Sequence, residues 1–340
     1  MISNQLKKFF YKATHYEFWP WYALYVPMIP VYIYGVLSTK RLLYFTASNP
    51  GIEMGGFFGE KKDDILSLID EGYKVKGFRV TQPLTKHQLL ANLQQHHIDF
   101  PVVAKPNVGE RGFAVKIIDT VDSLVHYSQN QTDFIIQEYV DYPLELGVLY
   151  FRYPNEEKGQ VTSLSSKRFL RVLGDGKRTV RELMEVDPRN RLYVEMVQNQ
   201  FSDKLDLIPK EDESFVVHKI GNHSKGTQFI DETKYLSKQL SETFDKINNT
   251  VSGVFYGRYD LKVPSFDKLI AGEGIKIFEL NGVSSEPGHM YDQPNAFKSY
   301  RLLAEHWLYI IKISKQNIQN GVATTPLRFF TRKVLGHFVS

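Results

Sequence analysis

The chain has 340 residues, 42% apolar and 24% charged, which is ordinary globular composition and enough for two or three packed subdomains. With 42 Lys and Arg against 38 Asp and Glu the net charge is +4, so composition gives no sign of a nucleic-acid partner. There is no cysteine, which excludes disulfides, thiolate metal sites and cysteine nucleophiles and is compatible with a reducing cytoplasm.

The first 41 residues form an aromatic arm. Residues 19–37 carry no charge and are close to membrane-spanning length, but Pro20, Pro27 and Pro30 interrupt them. Lys7, Lys8 and Lys12 precede this stretch, and Lys40 and Arg41 follow it. Three placements fit: an arm packed on the body, a membrane-surface anchor, or a span. No small-residue cleavage site marks a signal peptide. At the other end, residues 323–340 form a basic, aromatic tail suited to the same anionic surface or to capping a helix.

Residues 42–47 read as a strand, and 48–60 as a glycine-rich loop without dinucleotide spacing. A helix over 61–71, a strand over 73–81 and a helix over 86–97 complete an α/β subdomain spanning 42–98. Residues 101–105 are a strand ending in Lys105, followed by a loop with Gly109 and Gly112 and a second strand over 114–118. Two strands joined in this way form a lid whose backbone N–H groups can approach phosphates, although a plain hairpin has the same pattern. A helix over 121–130 and a strand over 133–137 close the small lobe, assigned to 99–143. Gln137, Glu138, Tyr139 and Val140 then form a bridge that can offer backbone groups to an adenine edge. Glu145, slightly later, can accept from ribose hydroxyls, although surface charge accounts for Glu138 and Glu145 equally.

A large lobe is assigned to 144–322. It opens with strands over 146–153 and 160–166, a basic run at Lys167, Arg168 and Arg171, and a helix that Thr179 caps. A strand over 215–220 and a helix over 235–249 lead to two strands, 254–263 and 275–280, joined by a turn-rich loop. Alternation places Arg258 and Asp260 on one face of the first strand. Glu279 and Asn281 share a face of the second, with Ile277 beside them. Two carboxylates and an amide oxygen next to a guanidinium suit magnesium with phosphate. A helix over 295–319 follows. The ten histidines show no metal-ligand spacing.

Taken in order, the segments VAKP with its glycine loop, QEYV, GRYD and FELNG resemble the ATP-grasp superfamily. The metal end is similar to D-alanine–D-alanine ligases, and the GDGKRTVREL and GNHSKGT segments to cyanophycin synthetase-type members. The resemblance covers roughly residues 86–292. It implies an α/β (α+β) fold with a small N-terminal subdomain and two lobes clasping a nucleotide. The implied cofactors are ATP and Mg2+, with Mn2+ as a substitute. The implied reaction is ATP-dependent ligation of a small-molecule carboxylate to an amine through an acyl phosphate. Lys86 and Lys105 would contact phosphates, and Gly109 and Gly112 would belong to the phosphate-covering loop. Gln137 to Val140 and Glu145 would hold the nucleoside, and Arg258 the transferring phosphoryl. Asp260, Glu279 and Asn281 would bind the metal; Asn222, Ser224, Ser284 and Ser285 would lie toward the acceptor. Ser284 and Ser285 replace the family's usual Pro-Gly, so dipeptide synthesis does not follow. A phosphotransferase or a non-catalytic, membrane-associated nucleotide binder would use the same grasp, and a homo-oligomer is compatible with it. From sequence alone, Asp260→Ala or Glu279→Ala is expected to abolish ATP turnover and leave the fold intact.

Overall fold

The computed structural model of the protein describes residues 4–109, 113–219, 221, 225–293 and 295–339. The arm is helical: α1 (Asn4–Thr14), α2 (Trp21–Tyr25) and α3 (Ile29–Thr39), the last two joined by a 3-10 turn at Val26–Met28. Its prolines do not break it. Pro20 caps α2, while Pro27 and Pro30 occupy first-turn positions, where a missing N–H costs nothing. The expected strand at 42–47 is instead a 3-10 turn over Tyr44–Ala47. All four of its side chains are buried, so there is no solvent face for a pleat to alternate against.

The small lobe follows: α4 (Lys62–Ser67), β1 (Gly77–Val80), α5 (Lys86–Gln95), β2 (Val102–Pro106), β3 (Lys116–Ile118), α6 (Val121–Asn130) and β4 (Phe134–Glu138). The strands form an antiparallel sheet in the order β1-β4-β2-β3. Leu89, Leu93 and Leu124 of its two long helices pack on Val80, Val102, Ala104 and Ile136. Residues 42–98 are therefore shared between the lobes. β1 extends the small sheet, while Ile65 and Leu66 of α4 enter the large core.

The large lobe contains β5 (Leu144–Phe151), β6 (Gln160–Arg168), β7 (Arg171–Leu173), α7 (Val180–Val186), α8 (Val194–Gln200), α9 (Ser202–Leu205), β8 (Ser214–Val216), β9 (Gln228–Asp231), α10 (Lys238–Asn248), β10 (Tyr256–Val263), α11 (Phe266–Ala271), β11 (Lys276–Asn281), α12 (Ala296–Gln319) and α13 (Leu327–Val339). Its main sheet runs β11-β10-β5-β6-β9, with antiparallel neighbours throughout. One face is apolar: Leu146, Val148, Leu164, Tyr259 and Leu261 pack on Leu240, Phe244 and Ile247 of α10. The pair β7-β8 and helices α7 to α9 build a satellite core around Val172, Val180, Met184 and Val197. This is the two-lobed α/β arrangement that the ATP-grasp resemblance implies. The loop expected between the last two strands contains a helix, α11, capped by Ser265 and stopped by left-handed Gly272.

Candidate active site

The second face of the large sheet is polar, and its polarity follows from strand alternation. With Tyr259, Leu261 and Val263 in the core, Arg258, Asp260 and Lys262 face the other way. Register then fixes their neighbours: Arg258 pairs with Asn281, Asp260 with Glu279 on one side and Gly147 on the other, and Lys262 with Glu145. Direct cross-strand partners hold their Cβ atoms about 5 Å apart. Arg258, Asp260, Glu279 and Asn281 therefore form one contiguous block.

Ile277 does not share that face, contrary to its place in the alternation. It is fully buried in the core with Leu280. Pairing jumps from Asp260↔Glu279 to Leu261↔Ile277, leaving Phe278 as a bulge that resets the alternation. The bulge also frees the Phe278 carbonyl, which accepts from Lys105 Nζ of the small lobe at 2.9 Å.

A buried ion network fills the block. Arg258 Nε donates to Asp260 Oδ1 at 2.9 Å, and Nη2 to Oδ2 at 3.4 Å. Lys167 Nζ, reaching over from β6, donates to Asp260 Oδ2 at 3.3 Å and pairs with Glu145 Oε1 at 3.1 Å. The Lys167 and Asp260 side chains are only 4% and 3% exposed. Burial pushes the Asp260 carboxyl up, but Arg258 and Lys167 outweigh it and hold it below the usual range. Burial likewise pushes the Lys167 ammonium down, and Asp260 and Glu145 reverse that and hold it up. Gly147 makes room: a Cβ there would lie 3.2 Å from Arg258 Cδ and from Ser165 Oγ. Lys105 has no such pairing. Burial lowers its ammonium to about 8, against a partial pull upward from Glu279.

The other sequence-predicted residues divide. Glu145 is at the cluster, paired with Lys167. Glu138 Oε1 accepts from Lys276 Nζ at 3.1 Å and from the Lys76 amide, and the Val140 carbonyl accepts from Lys262 Nζ at 2.9 Å. Lys262 also lies over the Tyr139 ring, 5.1 Å from its centroid. The bridge 137–140 is thus pinned to the large sheet, with Gln137 buried in β4. Gly109 is described, and its carbonyl accepts from Lys62 Nζ. Gly112, Asn222 and Ser224 lie outside the described residues. Lys86 is not brought to the cluster; on the outer end of α5 it pairs with Asp122 at 2.8 Å in an exposed bridge. Ser285 is buried, with its hydroxyl turned back to the Gly282 and Asn281 carbonyls, while Ser284 is exposed.

The donor set fits a divalent cation. Two carboxylates and an amide oxygen are hard ligands, and magnesium takes its remaining oxygens from water and phosphate. Asp260 already accepts from two cations, but a carboxylate offers about four lone-pair sites, so it can also ligate a metal. Among the described residues no group of three or more His, Cys, Asp or Glu stands ready for a metal.

Sequence reasoning missed two features. Lys167 was grouped into a basic run, although Ser163, Ser165 and Lys167 alternate along β6 and so point with the cluster. The second is Glu286, just past the end of β11. Its carboxylate accepts from the Tyr25 and Tyr291 hydroxyls, and its carbonyl lies 3.5 Å from Arg258 Nη1. Burial first and Glu286 second push the Tyr25 phenol well up. The N-terminal arm thus reaches the segment that adjoins Arg258. Tyr16 and Leu24 pack there on Met290.

The glycine-rich stretch 48–60 buttresses this loop. Val283 N donates to the Gly55 carbonyl at 2.9 Å and Ser284 N to that of Gly56 at 3.2 Å. Gly56 is left-handed (φ +77°), and a Cβ on it would lie 2.6 Å from Gly282 Cα. Gly56→Ala is expected to cost roughly 1–3 kcal/mol in backbone strain alone, and the clash beneath Asn281 should lower turnover further. Thermal melts and turnover of that variant beside Gly59→Ala, which is equally left-handed (φ +69°) but has nothing within 4 Å of its Cβ, separate the clash from the shared strain.

No family model matches the sequence, and no curated protein matches it either. Solved structures do. A bifunctional glutathione synthetase from Pasteurella multocida matches at 16% identity over 74% of this chain and 35% of its own, with a TM-score of 0.41. D-alanine–D-alanine ligase from Bacillus anthracis, complexed with ATP, matches at 14% identity over 77% of this chain and 68% of its own, also at 0.41. An ADP complex of N5-carboxyaminoimidazole ribonucleotide synthetase gives 13%, 75%, 54% and 0.41. The chain thus spans about a third of the first and about two thirds of the second. Likeness at this level bears on neither activity nor substrate, and the site's own residues carry the functional reading.

Proposed function

We propose that the protein is an ATP-dependent carboxylate–amine ligase that releases ADP and phosphate. One observation supports this most: Arg258, Asp260, Glu279 and Asn281 stand in register on one sheet face, facing Lys105 of the small lobe. Asp260, Glu279 and Asn281 would hold Mg2+, or Mn2+ in its place, on the triphosphate, where the cation would neutralise charge on the phosphoryl oxygens. The Arg258 fork would hold the transferring phosphoryl in line. A substrate carboxylate oxygen attacks the γ-phosphorus as the bond to the β,γ-bridging oxygen breaks and ADP leaves. An amine lone pair then attacks the acyl carbon; the C–O bond to phosphate breaks, and the nitrogen loses a proton. Positioning and charge neutralisation are all this chemistry asks of the protein. Glu286, with Tyr25 and Tyr291, would receive the ammonium form of the amine and take one proton from it before the lone pair attacks, and the departing phosphate would accept the second. A chain without cysteine suits the cytoplasm, where ATP is available.

A screen for phosphate release over acid–amine pairs tests the reading. The expected result is amide product with stoichiometric phosphate. A phosphorylated product without free phosphate would make the protein a phosphotransferase, and nucleotide binding without turnover on any pair would make it a sensor.

Lys105 gives a pH test. Its ammonium, lowered to about 8 by burial, is charged below that pH and neutral above it in the nucleotide-free protein. Phosphate oxygens favour the charged form, so binding above pH 8 takes up a proton. ATP affinity is expected to fall by up to about tenfold per pH unit above 8. Titrations in buffers of different ionisation enthalpy measure the uptake, and Lys105→Met should abolish it.

A further inference from the structure

The arm is apolar on two faces, and the fold uses only one. Leu24, Met28, Val31, Tyr32 and Val36 pack inward, and Gly35 lies directly under the Tyr44 ring. On the opposite side Tyr22, Val26, Ile29, Ile33 and Leu37 follow helical spacing and are 49–72% exposed. A helix on the surface of a globular body ordinarily turns polar residues outward. Here Trp21–Thr39, 19 residues long, is the one helix among the described residues long and apolar enough to cross a membrane, and 11% of its apolar window is buried. Crossing would require stripping its packed face from α12, so the stripe is placed to lie on a surface.

Charge identifies the surface. The first 41 residues hold five Lys or Arg and one acidic residue, Glu17, which is engaged by Arg189. Residues 326–340 hold three basic residues and no acidic one. Helix α13 packs on the same aromatic cluster as α3: Thr325 N donates to Thr46 Oγ1 at 2.9 Å, and Phe330 meets Phe45 edge-on at 5.9 Å. Lys40 and Arg41 directly follow the apolar stripe and are exposed, as are Arg328 and Arg332 of α13. Phe9 and Phe10 of α1, with exposed Lys7 and Lys12, add a second amphipathic piece.

We propose that the face formed by α2, α3 and α13 docks the protein on an anionic phospholipid bilayer, with the stripe in the headgroup boundary and the cations on the lipid phosphates. A second copy of the chain would bury the stripe but bring two cationic rims together. A bilayer matches both features. The proposal stands independently of the reaction assigned above.

Flotation of the full chain with phosphatidylcholine vesicles, with and without phosphatidylglycerol, tests this. Binding is expected only to the anionic vesicles and should weaken with salt. Ile29→Glu/Ile33→Glu/Leu37→Glu should reduce partitioning more than tenfold, and Arg328→Gln and Arg332→Gln by roughly fivefold each. All of these should melt like wild type, since the changed side chains face outward. Failure of wild type to float, equal binding to neutral vesicles, or a concentration-dependent dimer that the triple glutamate variant dissociates would each overturn the proposal.

Discussion

Asp260→Ala is expected to lose turnover and fold stability together. Removing the carboxylate deletes a metal ligand and leaves Arg258 and Lys167 buried side by side without their shared anion. Breaking a buried pair in this way costs about 3–5 kcal/mol. The sequence-based expectation of an inactive but intact Asp260→Ala variant therefore does not hold, because the ion network was not visible in the motif. Glu279→Gln is the cleaner probe. No ion pair to Glu279 is among those at the cluster, and glutamine keeps its shape. Its melting temperature should stay near wild type while turnover falls at least about a hundredfold, from lost charge stabilisation of the phosphoryl oxygens. Urea melts and phosphate release on the two variants check both halves.

The second large effect is expected at Arg258. Arg258→Lys preserves the charge beside Asp260 but removes the planar fork that now spans both of its oxygens. With that edge on Asp260, the remaining Nη1 and Nη2 hydrogens would be left to hold a transferring phosphoryl, whereas an ammonium is a point charge. Turnover is expected to fall roughly 10²–10³-fold, the cost of removing one transition-state donor. ATP affinity, set by Lys105 and the metal ligands, should change little. Equal losses in affinity and turnover would show that Arg258 merely binds nucleotide.

The polar face of the large sheet was legible because strand alternation is strict: R-x-D and E-x-N can share a face only in register, and they do. Legibility ended where alternation was interrupted. The Phe278 bulge sent Ile277 to the core, a shift that sequence does not mark. Residues 42–47 have the apolar, aromatic look of a strand, yet burial on all sides makes them a 3-10 turn. The α11 helix was missed although Ser265 and Gly272, its cap and stop, are both readable. Lys86 was misplaced because a lysine at the head of a helix looks the same whether it faces a cleft or a neighbouring aspartate. The Glu286 cage needed a tertiary contact across 261 residues, beyond any local pattern.

Calorimetric titration of ATP into wild type and Glu279→Gln, with and without Mg2+, addresses the metal–nucleotide cluster most directly. The predicted result is that Mg2+ tightens ATP binding more than tenfold in wild type, and that the variant keeps its metal-free affinity but loses the enhancement. A variant that retains the full Mg2+ effect would contradict the assignment of this sheet face as the nucleotide site.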